Sequence, residues 1–274
     1  MQNVGWLRRW GIKINNMKLF FRQVGQTGTP LVILHGVFGS SDNWLTIGKV
    51  LGEQFRVFML DQRNHGHSPR SEEFSLDALA ADLKEFLDDQ QLTNAILVGH
   101  SMGGKVVMQF AMNYPSAFSK LVVVDIAPRF YPVHHDAILT GLNAINLAKL
   151  TTRQEADEVF SVYEPDWAVR QFLLKNLYRN TETGRFDWRI NLPVLTRDIG
   201  EVGSELMNTK IIDKPTLFIR GAESPYITNE DEKIIHQLFS NAQIETIAGA
   251  GHWVQADKPT EFVEVVVRFS KSTI

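Results

Sequence analysis

The sharpest chemical signal in the sequence is the run Gly99-His100-Ser101-Met102-Gly103-Gly104. This G-x-S-x-G pattern lies between a β-rich run at 95–98 and a helical one at 102–114. Small residues at both ends let the chain turn tightly from strand to helix and lift the Ser101 hydroxyl out of a sheet. The helix N-terminus behind it offers unpaired N–H groups to developing negative charge. A serine hydroxyl is a weak nucleophile and needs a base to take its proton. Of the eight histidines, His252 suits that role, in the late run Ala248-Gly249-Ala250-Gly251-His252-Trp253. Its flanking glycines let a loop bring the imidazole over the sheet. His35 and His100, beside glycines at strand ends, read as structural. His65, His67, His134 and His135 pair as His-x-His and His-His, but no carboxylate joins them at helical ligand spacing. They read as surface or turn residues rather than a metal site.

The acid that orients the histidine is harder to place. Its usual position is the fourth residue of a G-x-x-D turn after a late strand, and that turn here reads Gly221-Ala222-Glu223-Ser224. Serine stands where aspartate is expected. Two carboxylates can substitute: Asp125, ending the run Val122-Val123-Val124-Asp125-Ile126-Ala127-Pro128, and Glu223, one position off and aimed elsewhere. Geometry alone favours Asp125 and leaves Glu223 open, with a turn-capping role the plain alternative for Asp125. The oxyanion needs a second backbone donor besides the amide of Met102. The glycine-rich run His35-Gly36-Val37-Phe38-Gly39-Ser40 supplies it, Val37 being the natural donor and Phe38 the alternative. One such donor is worth roughly 2.7–4 kcal/mol of barrier. No Gly-Lys-Ser/Thr follows that run, so a phosphate cradle is a poor reading of it.

These residues need a scaffold that sets strand ends side by side. Apolar runs at 31–34, 55–60, 95–98, 121–124 and 216–219 are short, continuous and end at Gly, His, Asp or Arg. Such runs suit strands buried on both faces of a parallel sheet. Helical patterns alternate with them: Leu76, Leu79, Leu83, Phe86 and Leu87 behind the N-cap candidate Ser75, and a last helix with Pro259 in its first turn. The fold class is therefore α/β, a mostly parallel central sheet covered by helices on both faces. Asp61 and Arg63 fix a turn, and Asp42-Asn43-Trp44 starts a helix behind the glycine-rich loop. Lys105 reads as a solvated or locally paired lysine, with contact to an anionic substrate as the alternative.

The stretch 128–207 breaks the alternation, with helical segments at 137–150, 153–163 and 167–178, an irregular part at 181–193, and no convincing strand. Without a Pro/Gly/Ser-rich linker it reads as a helical cap over the sheet rather than a separate domain. The division is 1–16 as an N-terminal extension, 17–127 with 208–274 as the core, and 128–207 as the cap.

Composition narrows the classes. With 44% hydrophobic and 22% charged residues, the chain is an ordinary globular one. A net charge of −3 gives no field for nucleic acid. The absence of cysteine removes disulfides, Cys-ligated zinc and a thiol nucleophile, leaving a hydroxyl as the simplest route to acyl transfer. No stretch approaches the ~18 consecutive apolar residues of a membrane span. Arg8-Arg9 is followed by no apolar signal core, and a surface anchor through Trp6, Leu7 and Trp10 is the minor alternative for 1–16. A cytoplasmic protein, monomer or homodimer, is expected.

Together, His35 to Ser40, Asp61-Gln62-Arg63-Asn64-His65-Gly66-His67-Ser68-Pro69, Gly99 to Lys105 and Gly251-His252-Trp253 resemble the α/β-hydrolase family. Within it they are similar to a small acyl esterase branch, that of the bacterial YbfF-type esterases and the eukaryotic abhydrolase-domain protein eleven. The likeness runs from about Met17 to Phe269, and its most branch-specific parts are the Asp61–Pro69 and Asp125–Pro128 segments. The resemblance implies that Asp125 is the acid and that Ser224 helps to hold the histidine. It also implies a cap inserted after the sixth strand, and hydrolysis of carboxylic esters and acyl thioesters without a cofactor. The combined reading is a Ser101–His252–Asp125 esterase with an acyl-enzyme intermediate, acting on small to medium apolar acyl groups. Phe38, Phe130, Trp167, Phe172, Trp188, Tyr226 and Trp253 are the candidates to line the acyl pocket. C–C bond hydrolysis, lipid hydrolysis and cofactor-free perhydrolysis share the same residues and stay open. A non-catalytic binding protein on this fold is the distant alternative; it calls for a damaged triad or oxyanion loop, and neither is seen.

Overall fold

The computed structural model describes residues 17–132, 135–206 and 211–272. The extension 1–16, His134 and the expected cap boundary at Met207 lie outside the described residues. The first half alternates β1 (Phe21–Val24), β2 (Pro30–Leu34), α1 (Leu45–Leu51), β3 (Arg56–Leu60), α2 (Leu76–Asp89), β4 (Ile96–His100), α3 (Met102–Asn113) and β5 (Lys120–Val124). A long excursion then forms α4 (Asp136–Ala144), α5 (Arg153–Ser161), α6 (Trp167–Leu174), β6 (Leu177–Arg179), β7 (Phe186–Trp188) and α7 (Leu192–Asp198), followed by the 3₁₀ turn Ile199–Gly203. The chain returns with β8 (Thr216–Gly221), α8 (Asp231–Leu238), β9 (Ala242–Ile247), α9 (Val254–Asp257) and α10 (Pro259–Lys271).

The seven-stranded sheet has the order β1-β3-β2-β4-β5-β8-β9. Only β1 runs antiparallel, against β3; every other neighbouring pair is parallel. The C-terminal ends of β2, β4, β5 and β8 therefore share one edge, where α/β sheets place their ligands. Side chains alternate across the strands. Val32, Leu34, Leu97, Leu121 and Val123 pack under α2 and α3, and Leu31, Ile33, Val98, Val122 and Val124 pack against α1 and α10. Ser75 caps α2 by accepting the Ala78 N–H, and Pro259 opens α10, as their types dictate.

The excursion joins two hydrogen-bonded neighbours, β5 and β8. It follows the fifth strand rather than the sixth, because a single antiparallel strand precedes β2 in the described sheet. Its helices are shorter than the apolar pattern predicts. Beyond Ala144 the chain turns through Asn146, whose carbonyl takes the amides of both Lys149 and Leu150. A hairpin, β6–β7, replaces the end of the helix expected at 167–178 and part of the irregular stretch, with Tyr178 opposite Asp187. Strands of three residues carry too little alternation to be read, but the turn signal was present. Asn180 Oδ1 accepts the amides of Glu182 and Thr183, and Gly184 takes φ +68°. Among the described residues no helix is long and apolar enough to cross a membrane.

Candidate active site

Ser101 sits at the β4–α3 turn with φ 53° and ψ −117°, a conformation that costs a non-glycine residue about 1–3 kcal/mol. Packing enforces it. A Cβ on Gly99 would lie 2.1 Å from the Gly103 carbonyl oxygen, and one on Gly103 would lie 2.4 Å from that of Leu34. The turn thus closes only with glycine at both places, and the Ser101 amide donates to Val124 O at 3.0 Å. As the first residue of α3, Met102 has an amide with no acceptor inside the helix.

Asp125 is fully buried directly after β5, at φ 51°. Its Oδ1 accepts the Gly221 amide at 3.1 Å, and its Oδ2 accepts the His252 Nδ1–H at 2.8 Å and the Ser224 hydroxyl. The carboxylate that reaches His252 is therefore Asp125. Glu223 is exposed, and among the described residues its bond is through the backbone, its amide donating to Ala250 O. Ser224 differs from expectation in one respect: it holds the acid rather than the histidine. Its hydroxyl donates to the carboxylate that in turn accepts the His252 Nδ1–H. No hydrogen bond to Ser101 Oγ forms among the described residues, and such contacts commonly tighten only with substrate present.

The glycine-rich loop after β2 is held by two buried histidines. His35 donates from Nδ1 to Gly36 O and accepts the Gln62 amide at Nε2, 3.0 Å. His65 donates from Nδ1 to Arg63 O and accepts the Phe38 amide at Nε2, 3.2 Å. His65 is thus a buried residue of the site, not the surface residue its neighbours suggest. Burial pushes its pKa down to about 3, and burial beside His252 does the same to His100; burial also lowers that of His35. All three stay neutral, which their acceptor or spacer roles require. The Phe38 amide, the alternative oxyanion donor, is thus already engaged. Asp61 and Arg63 are structural, as expected: Asp61 accepts the Ser41 and His67 amides, and Arg63 pairs with buried Asp82 at 2.5 Å.

A narrow cavity beside Ser101 is lined by Ile126, Tyr131, Pro132, His135, Ile199, Val202, Gly203 and Tyr226. Of the seven aromatic candidates only Tyr226 is among them, and its ring stacks on His252, centroids 3.9 Å apart. Phe38 is buried at φ 61° behind the loop, and Trp188 is buried in the core. Phe130 and Trp167 are exposed, while Phe172 packs on Trp253 at 5.8 Å, away from the cavity wall. Aromatic count was a poor guide, because it does not separate core rings such as Phe38 and Trp188 from exposed ones such as Phe130 and Trp167. Nearness to Asp125 in the chain was the better signal, for it marks Ile126, Tyr131 and Pro132. A wider cleft of about 520 Å³ opens among α4, Tyr163 and Thr196, but neither Ser101 nor His252 lines it.

Lys105 is the locally paired lysine of the two readings rather than a solvated one. It is fully buried one turn behind Ser101, donating to Arg129 O at 2.5 Å and Ser204 O at 2.8 Å. Burial, reinforced by the Arg129 charge, brings its pKa down to about 7. It ties together the two ends of the excursion.

With this geometry in place, comparison with known proteins is informative. A family described as alpha/beta hydrolase fold matches residues 29–165. The sn-1-specific diacylglycerol lipase ABHD11 of Xenopus laevis is 39% identical over 254 residues, 89% of this chain and 80% of its own. The chain belongs to the α/β-hydrolase family. Esterase YbfF of Escherichia coli (strain K12) is 37% identical over 256 residues, 93% of this chain and 98% of its own. A solved structure, a marine microorganism esterase, superposes with a TM-score of 0.90 at 38% identity, covering 92% of this chain and 99% of its own. This member of the family is an α/β hydrolase of the esterase and lipase type, an enzyme acting on ester bonds.

Proposed function

We propose that this α/β hydrolase cleaves carboxylic esters of small to medium apolar acyl groups through a Ser101–His252–Asp125 triad and an acyl-enzyme. The observation that carries the reading is the Asp125 Oδ2 to His252 Nδ1 bond of 2.8 Å, set at the same sheet edge as the strained turn that exposes Ser101. Ser101 attacks the acyl carbonyl while His252 takes its proton. Asp125 holds the imidazole in the Nδ1–H tautomer and stabilises its positive charge. The amides of Val37 and Met102 receive the oxyanion. His252 then protonates the leaving alcohol, and water repeats the sequence on the acyl group. Ile126, Ile199 and Val202 give the cavity an apolar wall. That wall supports an uncharged acyl group, and acyl thioesters fall within the same chemistry.

The proposal extends to organisation: 128–207 acts as a cap on a core formed by 17–127 and 208–274, in a cytoplasmic enzyme. Its support is that cavity residues such as Tyr131, Ile199 and Val202 come from the excursion while Ser101 comes from the sheet edge. Hydrolysis of p-nitrophenyl butyrate, with mass spectrometry of the quenched enzyme, tests the mechanism. Turnover, a butyryl adduct on Ser101, and a loss of roughly 10⁴-fold or more in Ser101→Ala are expected. Full turnover in Ser101→Ala would defeat it.

A further inference from the structure

A histidine that takes a proton from serine becomes a cation, and its edge and its faces need separate support. Asp125 serves the edge of His252 through Nδ1. One face is covered by Tyr226, whose ring lies nearly parallel at 18° with centroids 3.9 Å apart. His100 lies near the imidazole at 4.8 Å, tilted by 43°, and donates from Nε2 to the His252 carbonyl. Buried and neutral, it adds no charge of its own.

The position of Tyr226 is itself fixed. Its amide donates to Ser224 Oγ at 3.3 Å, and that same hydroxyl donates to Asp125. Its carbonyl accepts the Tyr131 hydroxyl, and Tyr131 in turn accepts the Ala127 amide at 2.8 Å. The Tyr131 ring stacks behind Tyr226 at 5.5 Å. One serine hydroxyl therefore ties the acid and the stacking ring into a single unit around the imidazole. The negative face of an aromatic ring attracts a cation, and the attraction grows where water is excluded.

We propose that Tyr226 is a positioning residue for proton transfer: its ring fixes the plane of His252 and favours the imidazolium that forms when Ser101 attacks. The role rests on His252 being the base of the esterase reading, and it differs from that of a wall for the acyl chain. Full-length Tyr226→Leu, Tyr226→Met and Tyr226→Phe decide it, by turnover of p-nitrophenyl acetate and butyrate and by the proton NMR shifts of the His252 ring. The non-aromatic variants should lower kcat about tenfold for both esters, with KM within about twofold. They should also lose the upfield ring-current shift of the His252 protons. Tyr226→Phe should keep that shift and hold kcat within about threefold of the parent. A fall in Tyr226→Phe equal to that in Tyr226→Leu overturns the proposal, as does a loss confined to KM that grows with acyl length. An unmoved ring-current shift in both non-aromatic variants does the same. Absence of turnover in the parent chain overturns the esterase reading along with it. Parent turnover with undiminished kcat in Tyr226→Leu and Tyr226→Met overturns the stack alone.

Discussion

Behind Ser101 the molecule is built of backbone; in front of it, of side chains. The turn behind is set by carbonyls of Gly103 and Leu34 that leave no space for a Cβ, by the Ser101 amide on Val124 O, and by imidazoles that receive main-chain amides. The proposed cap in front is attached mostly by side-chain tethers, besides one main-chain bond from the Asn191 amide to Asn64 O. Asn176 Nδ2 donates to Phe38 O at 2.8 Å, Asn191 Nδ2 to Asn64 Oδ1 at 3.0 Å, and Arg197 to Glu72 at 3.0 Å. Backbone packing allows one arrangement and fails as a whole. A side-chain tether can break and reform at a cost of about 1 kcal/mol. The difference suits a site whose chemistry must be rigid while its substrate has to enter.

The largest break is expected at Gly99. Gly99→Ala forces a Cβ to 2.1 Å from the Gly103 carbonyl oxygen. Esterase activity should fall to background, with a drop in the thermal midpoint of roughly 10 °C or more. A folded, active variant would show that the turn yields. Next comes the buried acid: Asp125→Asn should lower kcat about 10³–10⁴-fold through the wrong imidazole tautomer. Exposed Glu223→Gln should stay within about twofold, and Ser224→Ala should fall about tenfold between them. Steady-state kinetics of the three variants rank them, and a Glu223→Gln loss larger than that of Asp125→Asn would reverse the assignment.

Acid sharpens the same contrast. The unfolded chain protonates His65 and His100 near their ordinary 6.5, whereas the folded chain holds them neutral down to about 3. Between those values the unfolded state binds more protons, so stability falls as pH drops from about 6.5 towards 3. Urea midpoints across that range should decline, with loss of activity following loss of structure, and a flat profile would contradict the neutral histidines. The smallest effect belongs to the tethers. Asn176→Ala should cost about 1 kcal/mol of stability and a few-fold in kcat, read by chemical denaturation and turnover. A loss as large as that of Gly99→Ala would place the tether among the rigid parts.

Legibility in the sequence follows the same line. The parallel strands, the turn at Ser101 and the loop of His252 could be read because each is a local pattern: a continuous apolar run, or glycines around a reactive side chain. Asp125 was favoured by its place at a strand end, but Glu223 stayed open until the resemblance was added, since the usual turn carries Ser224 and no local rule says which strand end faces His252. The cavity wall was hardest. Ile199 and Val202 meet Ser101 only through long-range packing, and Trp188 looked like a pocket residue because nothing local separates a core ring from a lining one. Lys105 was read only in part, as either solvated or locally paired. A lysine in the first turn of a helix is ordinarily solvated, and only the convergence of Arg129 O and Ser204 O shows why it is buried.

Phe38 belongs to both halves at once. Its amide is held from the sheet side by His65 and its carbonyl from the cap side by Asn176, across a peptide at positive φ. Asn176 follows α6, so lifting that helix from the sheet would break its bond to the peptide next to Val37. On the proposed mechanism, opening and disarming are thereby geared together: the peptide that latches the cap adjoins the donor that grips the oxyanion.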